Sequence, residues 1–163
     1  MVDTTFTDSY ITTDAILEAM IGSDLRAAAV ALKAAAATAQ AWYCQEATRR
    51  IDSMILRGQK YDSDQALEFP RIIDGVVVGD EDQAAVVPDL VKRACLEEAM
   101  AIIGAGSSGG RQALQAQGVA SYQIPGIISE SFSAAAISAA TQSILQSPRA
   151  RQIMRRYTGA DVR

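Results

Sequence analysis

Residues 88–104, PDLVKRACLEEAMAIIG, carry the clearest helical pattern in the chain. Pro88 stands near the first turn, where a helix needs no amide donor, and Gly104 is a typical helix stop. Apolar side chains recur between them every three or four residues, which predicts one buried face. The members of that face are Leu90, Ala94, Cys95, Ala99 and Ile102. This stretch therefore predicts a core helix around which the rest of the chain is arranged.

Upstream of this helix, the chain predicts further helical segments and a long loop. A first helix is expected to begin at Thr12 or Thr13 and to end at Gly22. Residues 25–57 keep the apolar spacing of a helix, and two interpretations are open: one continuous helix of about 50 Å, which we expect, or a break near Ala35–Thr38. Residues 59–88 are rich in acids and turn formers, which predicts a long ordered loop with one short extended segment at GVVVG.

Downstream, residues 118–133 alternate apolar and polar side chains around Pro125-Gly126, which predicts a short β-hairpin. A last helix is expected over residues 134–157, kinked or restarted at Ser147-Pro148. The predicted fold class is therefore mainly α: a helical bundle with one long helix, a long ordered loop and a short β-hairpin. We divide the chain into a helical domain, residues 1–146, and a basic C-terminal docking tail, residues 147–163.

The composition limits the classes of function. The chain has 163 residues, a formal net charge of −4 and no histidine, so it lacks the commonest general base and metal ligand. Cys44 and Cys95 fall in helical patterns and predict buried, reduced thiols. We expect no enzymatic activity, no cofactor and no metal. The first residues lack the bases of a signal peptide, and no apolar run approaches the roughly 20 residues that span a bilayer, so we expect a soluble intracellular protein.

Two motifs match a chemical pattern only formally. Gly104-x-Gly106-x-x-Gly109 has the spacing of a dinucleotide fingerprint, but a helix precedes it where a strand is needed, which favours a flexible linker. Asp62-x-Asp64 begins like a calcium loop, but the glycine and glutamate that such a loop requires are absent.

Charge is unevenly distributed along the chain. Residues 1–24 carry five acids and no base, whereas residues 147–163 carry five arginines and one acid. Two interpretations of the basic end are open. It can be a last helical turn whose cations favour the helix dipole, or it can be a docking surface for an acidic partner or for DNA.

Residues 65–71, QALEFPR, place Leu67 and Phe69 in the loop that is otherwise full of acids. Apolar side chains exposed beside the stiff Pro70-Arg71 pair predict a contact surface. We expect Leu67 and Phe69 to bury against another molecule and Arg71 to pair with an acid across that contact.

The order of these features resembles that of the head–tail connector proteins of tailed bacteriophages, also called adaptor or head-completion proteins. The resemblance covers residues 10–135 and rests on the stretches YITTDAILEAM, EATRRIDSMILRGQKYDSDQALEFPR, VPDLVKRACLEEAMAII and GIISESFS. The matching positions are Ala47, Thr48, Ile51, Asp52, Gly58, Gln65, Leu67, Phe69, Pro70, Arg71 and Pro88. It implies a structural virion protein that forms a ring under the portal, extends the DNA channel and joins head to tail.

The same resemblance implies the partners and their contacts. The partners would be further copies of the chain in a ring, expected to be a dodecamer, the portal protein, and a stopper or tail-completion protein. DNA would pass through the channel without sequence-specific binding, and no membrane would be involved. The subunit interface would consist of Leu67, Phe69, Pro70 and Arg71. The portal-docking surface would consist of Arg149, Arg151, Arg155, Arg156 and Tyr157.

The expected location is the head–tail interface of the virion, after synthesis in the bacterial cytoplasm. The alternative function is a helical nucleic-acid-binding module that acts through the C-terminal arginine tail. Salt dependence distinguishes the two, because a DNA binder loses affinity steeply as the salt concentration rises.

Overall fold

The computed structural model describes residues 5–79, 86–107, 121–124, 128–131 and 144–158. The helices in these ranges are α1 (Asp14–Ile21), α2 (Ala27–Ala34), α3 (Ala37–Asp52), α4 (Asp89–Ser107) and α5 (Pro148–Met154). The strands are β1 (Gln59–Lys60), β2 (Arg71–Ile73), β3 (Val76–Val78), β4 (Ser121–Ile124) and β5 (Ile128–Ser131). The predicted class, mainly α with a short hairpin, is confirmed.

Helix α4 is the centre of the fold, because α1, α2, α3 and α5 all pack against it. Residues 94–100 are all buried, so this helix is covered on every side at its middle. It continues through Gly104, where we expected it to end, and a Cβ at this glycine would lie 3.7 Å from the Cβ of Ala28. Leu90, predicted to face the core, is 40% exposed, and Val91 is buried instead.

Helices α2 and α3 are separate, so the prediction of one continuous helix is wrong. Ala35 and Ala36 are extended, with ψ angles of 151° and 148°. The side-chain amide of Gln40 donates to the carbonyl oxygens of Leu32 at 3.1 Å and Lys33 at 3.3 Å. These bonds satisfy carbonyls that the end of a helix leaves unpaired. The break falls within the region of the alternative interpretation.

The predicted long loop between α3 and α4 contains a small antiparallel sheet in the order β1-β2-β3. The GVVVG run supplies β3, as expected of an extended segment, and β1 and β2 are additional strands. Asp74 and Gly75 form the turn between β2 and β3, and both have positive φ angles, 52° and 80°. A two-residue turn of this kind matches the twist of the strands that it joins.

The hairpin predicted around Pro125-Gly126 is confirmed, since β4 and β5 pair with Tyr122 opposite Glu130. The predicted last helix falls partly outside the described residues. Its described part is α5, which begins directly after Ser147 and has Pro148 in its first turn, as a restart at this pair requires.

Both cysteines are buried and unpaired, which confirms the prediction of buried, reduced thiols. Cys95 Sγ lies 3.4 Å from the hydroxyl of Thr48 and 3.5 Å from the carbonyl oxygen of Cys44. The two thiols therefore lie where α3 packs on α4. In the parts of the chain that the structure describes, no helix is both long enough and apolar enough to cross a bilayer.

Candidate nucleic-acid interface

The N-terminal end of α5 is fixed to α4. The hydroxyl of Ser147 accepts a hydrogen bond from the amide of Ala150 at 3.2 Å, which caps the helix. The carboxylate of Glu98, which is fully buried, accepts from the amides of Gln146 at 3.0 Å and Ser147 at 2.9 Å. Arg50 Nη1 donates to the same carboxylate at 3.0 Å. A buried acid thus holds the start of α5, and an arginine from α3 compensates its charge.

The C-terminal end of α5 is fixed to the segment that follows α3. The amide of Arg57 donates to the carbonyl oxygen of Tyr157 at 2.7 Å, and Leu56 forms an isolated antiparallel bridge with Thr158. The ring of Tyr157 is buried and meets the ring of Phe69 edge to face, with 5.1 Å between centroids. Helix α5 is therefore held at both ends.

The outer surface of α5 and of the turn that follows it carries uncompensated positive charge. Ala150 and Met154 are fully buried against the core, whereas Arg155 and Arg156 are exposed and Arg151 is half-buried. Among the described residues, none of these three arginines has an acidic partner within ion-pair distance. We call Arg151, Arg155 and Arg156 the arginine patch.

The arginine patch borders a shallow groove of about 380 Å³. Pro148, Arg151, Gln152 and Arg155 line it. Two guanidinium groups and one side-chain amide therefore face the same open depression, a combination of donors that suits phosphate oxygens and the polar edges of bases.

Other arginines near α5 are neutralised by acids. Arg149 Nη1 lies 3.6 Å from Glu97 Oε1, and Arg26 reaches both Glu97, at 2.7 and 2.9 Å, and Asp24. The hydrogen bond from the Arg26 side chain lowers the pKa of Asp24 to about 2, so this acid stays charged. Arg149 is therefore less available to a ligand than the arginine patch.

Two further cations are exposed without an acidic partner in the described ranges, Lys33 on α2 and Arg93 on α4. Each is the only such cation on its helix, whereas the arginine patch groups three of them at α5. The patch is thus the densest uncompensated positive charge in the described part of the chain.

Phe69 does not lie exposed for a neighbouring subunit, so that expectation is wrong. It is only 2% exposed and packs edge to face on Tyr10, at 6.0 Å between centroids, and on Tyr157. Leu67 and Pro70 are half-buried, and Leu67 packs against the core. Phe69 therefore fills the interior of its own chain, and Leu67 packs against the same core.

Arg71 also makes its contacts within its own chain. Its Nε donates to the carbonyl oxygen of Arg57 at 2.9 Å, its Nη2 donates to that of Gly58 at 2.8 Å, and its Nη1 pairs with Glu68. With 6% exposure, the Arg71 guanidinium is not free to reach an acid on another molecule. It fixes the turn that supports the end of α5.

The residues predicted for portal docking do not form one surface. The structure brings Arg151, Arg155 and Arg156 together, but Arg149 faces Glu97 and Tyr157 is buried. As far as Thr158, the expected docking tail packs on the core, and residues 159–163 lie outside the described residues.

The structure corrects the interpretation of the glycine motif and adds one exposed residue. Gly104 and Gly106 lie inside α4, so neither belongs to the expected flexible linker, and Gly109 lies outside the described residues. The sequence patterns did not identify Trp42 on α3 as a candidate functional residue, and the structure shows that it is 55% exposed. The available signal was a large apolar side chain out of phase with the buried positions Cys44 and Ala47.

A comparison with family models adds one finding. A model described as "Putative DnaT-like ssDNA binding protein" matches residues 4–162. No match was found among the curated proteins or among the solved structures. The family match contradicts the head–tail connector assignment, and with it the ring under the portal and the portal and tail partners. It supports the alternative interpretation better. The virion location was inferred from the same resemblance and stays a prediction.

Proposed function

Because the chain belongs to the family of DnaT-like single-stranded-DNA-binding proteins, we propose that it binds single-stranded DNA through the arginine patch on α5. The observation that carries this proposal is the group of three arginines without acidic partners in the described ranges, on α5 and the turn that follows it, a segment held at both ends. The proposed role is binding, without catalysis.

The chemistry of the arginine patch suits a phosphate backbone. A guanidinium group stays charged and offers a planar fork of donors that fits phosphate oxygens. Arg151 and Arg155 are one helical turn apart, a rise of about 6 Å, so a single strand that crosses the groove can meet both. Gln152 between them offers an amide to the polar edge of a base.

The acidic balance of the whole chain restricts where DNA can bind. With a net charge of −4, most of the surface does not attract a polyanion. DNA would therefore contact the arginine patch and few other cations. A plot of the logarithm of the binding constant against the logarithm of the salt concentration should then be a straight line. For three phosphate contacts on a single strand, its slope is about −2.

The test is a titration of a labelled thymidine oligonucleotide, followed by fluorescence anisotropy at several salt concentrations. We expect the double variant Arg151→Gln/Arg155→Gln to bind at least about tenfold more weakly at low salt. Its salt slope should be smaller by about 1.4, because two phosphate contacts are lost. The matched control is Lys33→Gln/Arg93→Gln, which removes two cations without acidic partners in the described ranges from α2 and α4 and should bind almost normally.

Two results would contradict the proposal. The first is a wild-type chain that fails to bind the oligonucleotide even at low ionic strength. The second is equal weakening by both double variants, since the loss would then reflect total charge and not the arginine patch.

A further inference from the structure

Trp42, the only tryptophan of the chain, lies on the outer side of α3. The buried residues of this helix are Gln40, Cys44, Ala47, Thr48 and Ile51. At 100° per residue, Trp42 points almost opposite to their mean direction. Its 55% exposure shows that the core does not use most of the indole surface. An exposed tryptophan is a costly choice for a helix face that only needs to meet water.

The indole is held in place by its neighbour. The rings of Trp42 and Tyr43 meet edge to face, with 5.1 Å between centroids and 80° between planes. Tyr43 is half-buried and packs against the core. The contact therefore limits the motion of the indole while more than half of its surface stays open. A rigid, open aromatic ring is the form that stacking on a planar ligand requires.

A chain of ion pairs, which passes through the buried Glu98, connects the turn of α3 that follows Trp42 to the start of α5. Glu46 follows Trp42 by one turn, and its carboxylate pairs with Arg49 at 2.8 Å and Arg50 at 2.9 Å. Arg50 in turn binds Glu98, the residue that holds the start of α5. Along α3, the rise from Trp42 to Arg50 is about 12 Å. Sites for single strands commonly cover about 4–16 nucleotides, which is long enough for one strand to pass from α3 to α5.

We propose that Trp42 is a base-stacking residue of the single-stranded-DNA site. An unpaired base lies on the indole while the arginine patch holds the phosphates of the same strand. This inference rests on the proposed function and adds a source of specificity. Arginine–phosphate contacts form with single and double strands alike, whereas a duplex keeps its bases paired and stacked inside.

The test uses the full chain, a thymidine oligonucleotide, the matched duplex, and an abasic oligonucleotide that has the same phosphates without bases. Tryptophan emission reports Trp42 alone, because no other tryptophan is present. We expect the thymidine oligonucleotide to quench this emission, and the duplex and abasic strands to leave it almost unchanged.

Affinity gives a second readout. Trp42→Ala should weaken binding of the thymidine oligonucleotide about tenfold, so the ratio of single-strand to duplex affinity falls toward one. Trp42→Phe should recover most of the loss, because a phenyl ring still stacks. Circular dichroism checks that each variant keeps the helical content of the wild type.

The outcomes separate this inference from the proposed function. If binding depends on the arginine patch but emission is unquenched and Trp42→Ala binds normally, the stacking role is overturned and the proposed function stands. If no oligonucleotide binds, both are overturned.

Discussion

At the scale of single residues, Glu98 is a buried acid that holds neighbouring helices together. Its two oxygens accept hydrogen bonds from the amides of Gln146 and Ser147 and from the guanidinium of Arg50. These partners come from α3 and from the start of α5, so one side chain joins three helices. Because the carboxylate has no exposed surface, water cannot replace any partner that is lost.

Replacing Glu98 with alanine should destabilise the protein by about 3–5 kcal/mol. The change leaves two amides without acceptors and Arg50 without its buried partner. Urea denaturation followed by circular dichroism measures the loss. The control is Asp89→Ala, which removes an exposed acid paired with Lys92 at 2.9 Å and should cost less than about 1 kcal/mol. A Glu98→Ala variant as stable as Asp89→Ala would show that the contacts to α5 contribute little.

At the scale of elements, the turn between α3 and β1 supports α5. Gly58 has a φ angle of +71°, and a Cβ at this position would lie 2.0 Å from the carbonyl oxygen of Ile72. The guanidinium of Arg71 donates to the carbonyl oxygens of Arg57 and Gly58, and the amide of Arg57 donates to the carbonyl oxygen of Tyr157. The path of this turn therefore depends on the absence of a side chain at one position.

Gly58→Ala should lower the free energy of unfolding by at least about 2 kcal/mol, because it combines a strained φ with a backbone clash. Gly104→Ala is the matched control. Its new Cβ would meet only Ala28 at an ordinary 3.7 Å, and alanine favours a helix by up to about 1 kcal/mol. Thermal denaturation of both variants distinguishes the two environments. Equal stabilities would mean that the turn relaxes around a methyl group.

Local patterns in the sequence predicted the elements that depend on local chemistry. The alternation around Pro125-Gly126 predicted the hairpin, and Ser147-Pro148 predicted the start of α5. The break at Ala35–Ala36 could not be predicted in the same way, since alanine favours helix. There the side chain of Gln40 binds the end of α2, a contact that sequence periodicity does not show.

The candidate site was predictable only in part, for a related reason. The cluster of arginines was visible in the sequence. Which of them are free was not, because Arg149 is paired with Glu97, which lies 52 positions away. Phe69 looked exposed among acids, but its neighbours Tyr10 and Tyr157 come from distant parts of the chain. Contacts of long sequence separation decided both outcomes.

At the scale of the whole molecule, Cys44, Cys95 and Tyr10 are among the described residues that are buried in neutral form. Burial raises the pKa of the Cys95 thiol to about 12 and raises that of the Cys44 thiol as well. Burial, together with the hydrogen bond to Asp52, also raises the pKa of Tyr10. In the unfolded chain these groups ionise at their ordinary, lower values. At neutral pH these groups are protonated in both states, so the raised pKa values cost no stability until the pH approaches the ordinary values.

Stability should fall as the pH rises above about 9, where the thiols ionise in the unfolded chain but not in the folded one. The sign follows from a folded-state pKa that lies above the unfolded value. Each thiol should cost about 1.4 kcal/mol for each further pH unit, so the two together cost about 2–3 kcal/mol at pH 10. Urea denaturation at pH 8 and pH 10 measures the change. The Cys44→Ala/Cys95→Ala variant should show a smaller difference, and an identical difference would assign the effect to other groups.

The double attachment of α5 has a consequence for the kinetics of the proposed DNA binding. Because Glu98 and Arg57 already hold the two ends of the helix, an arriving strand finds an ordered backbone. Only a few arginine side chains lose rotational freedom on contact, and no folding step precedes docking. Association should then be governed by collision and by the local attraction between the arginine patch and the phosphates. Differences in affinity between variants would appear chiefly in how long the strand stays bound.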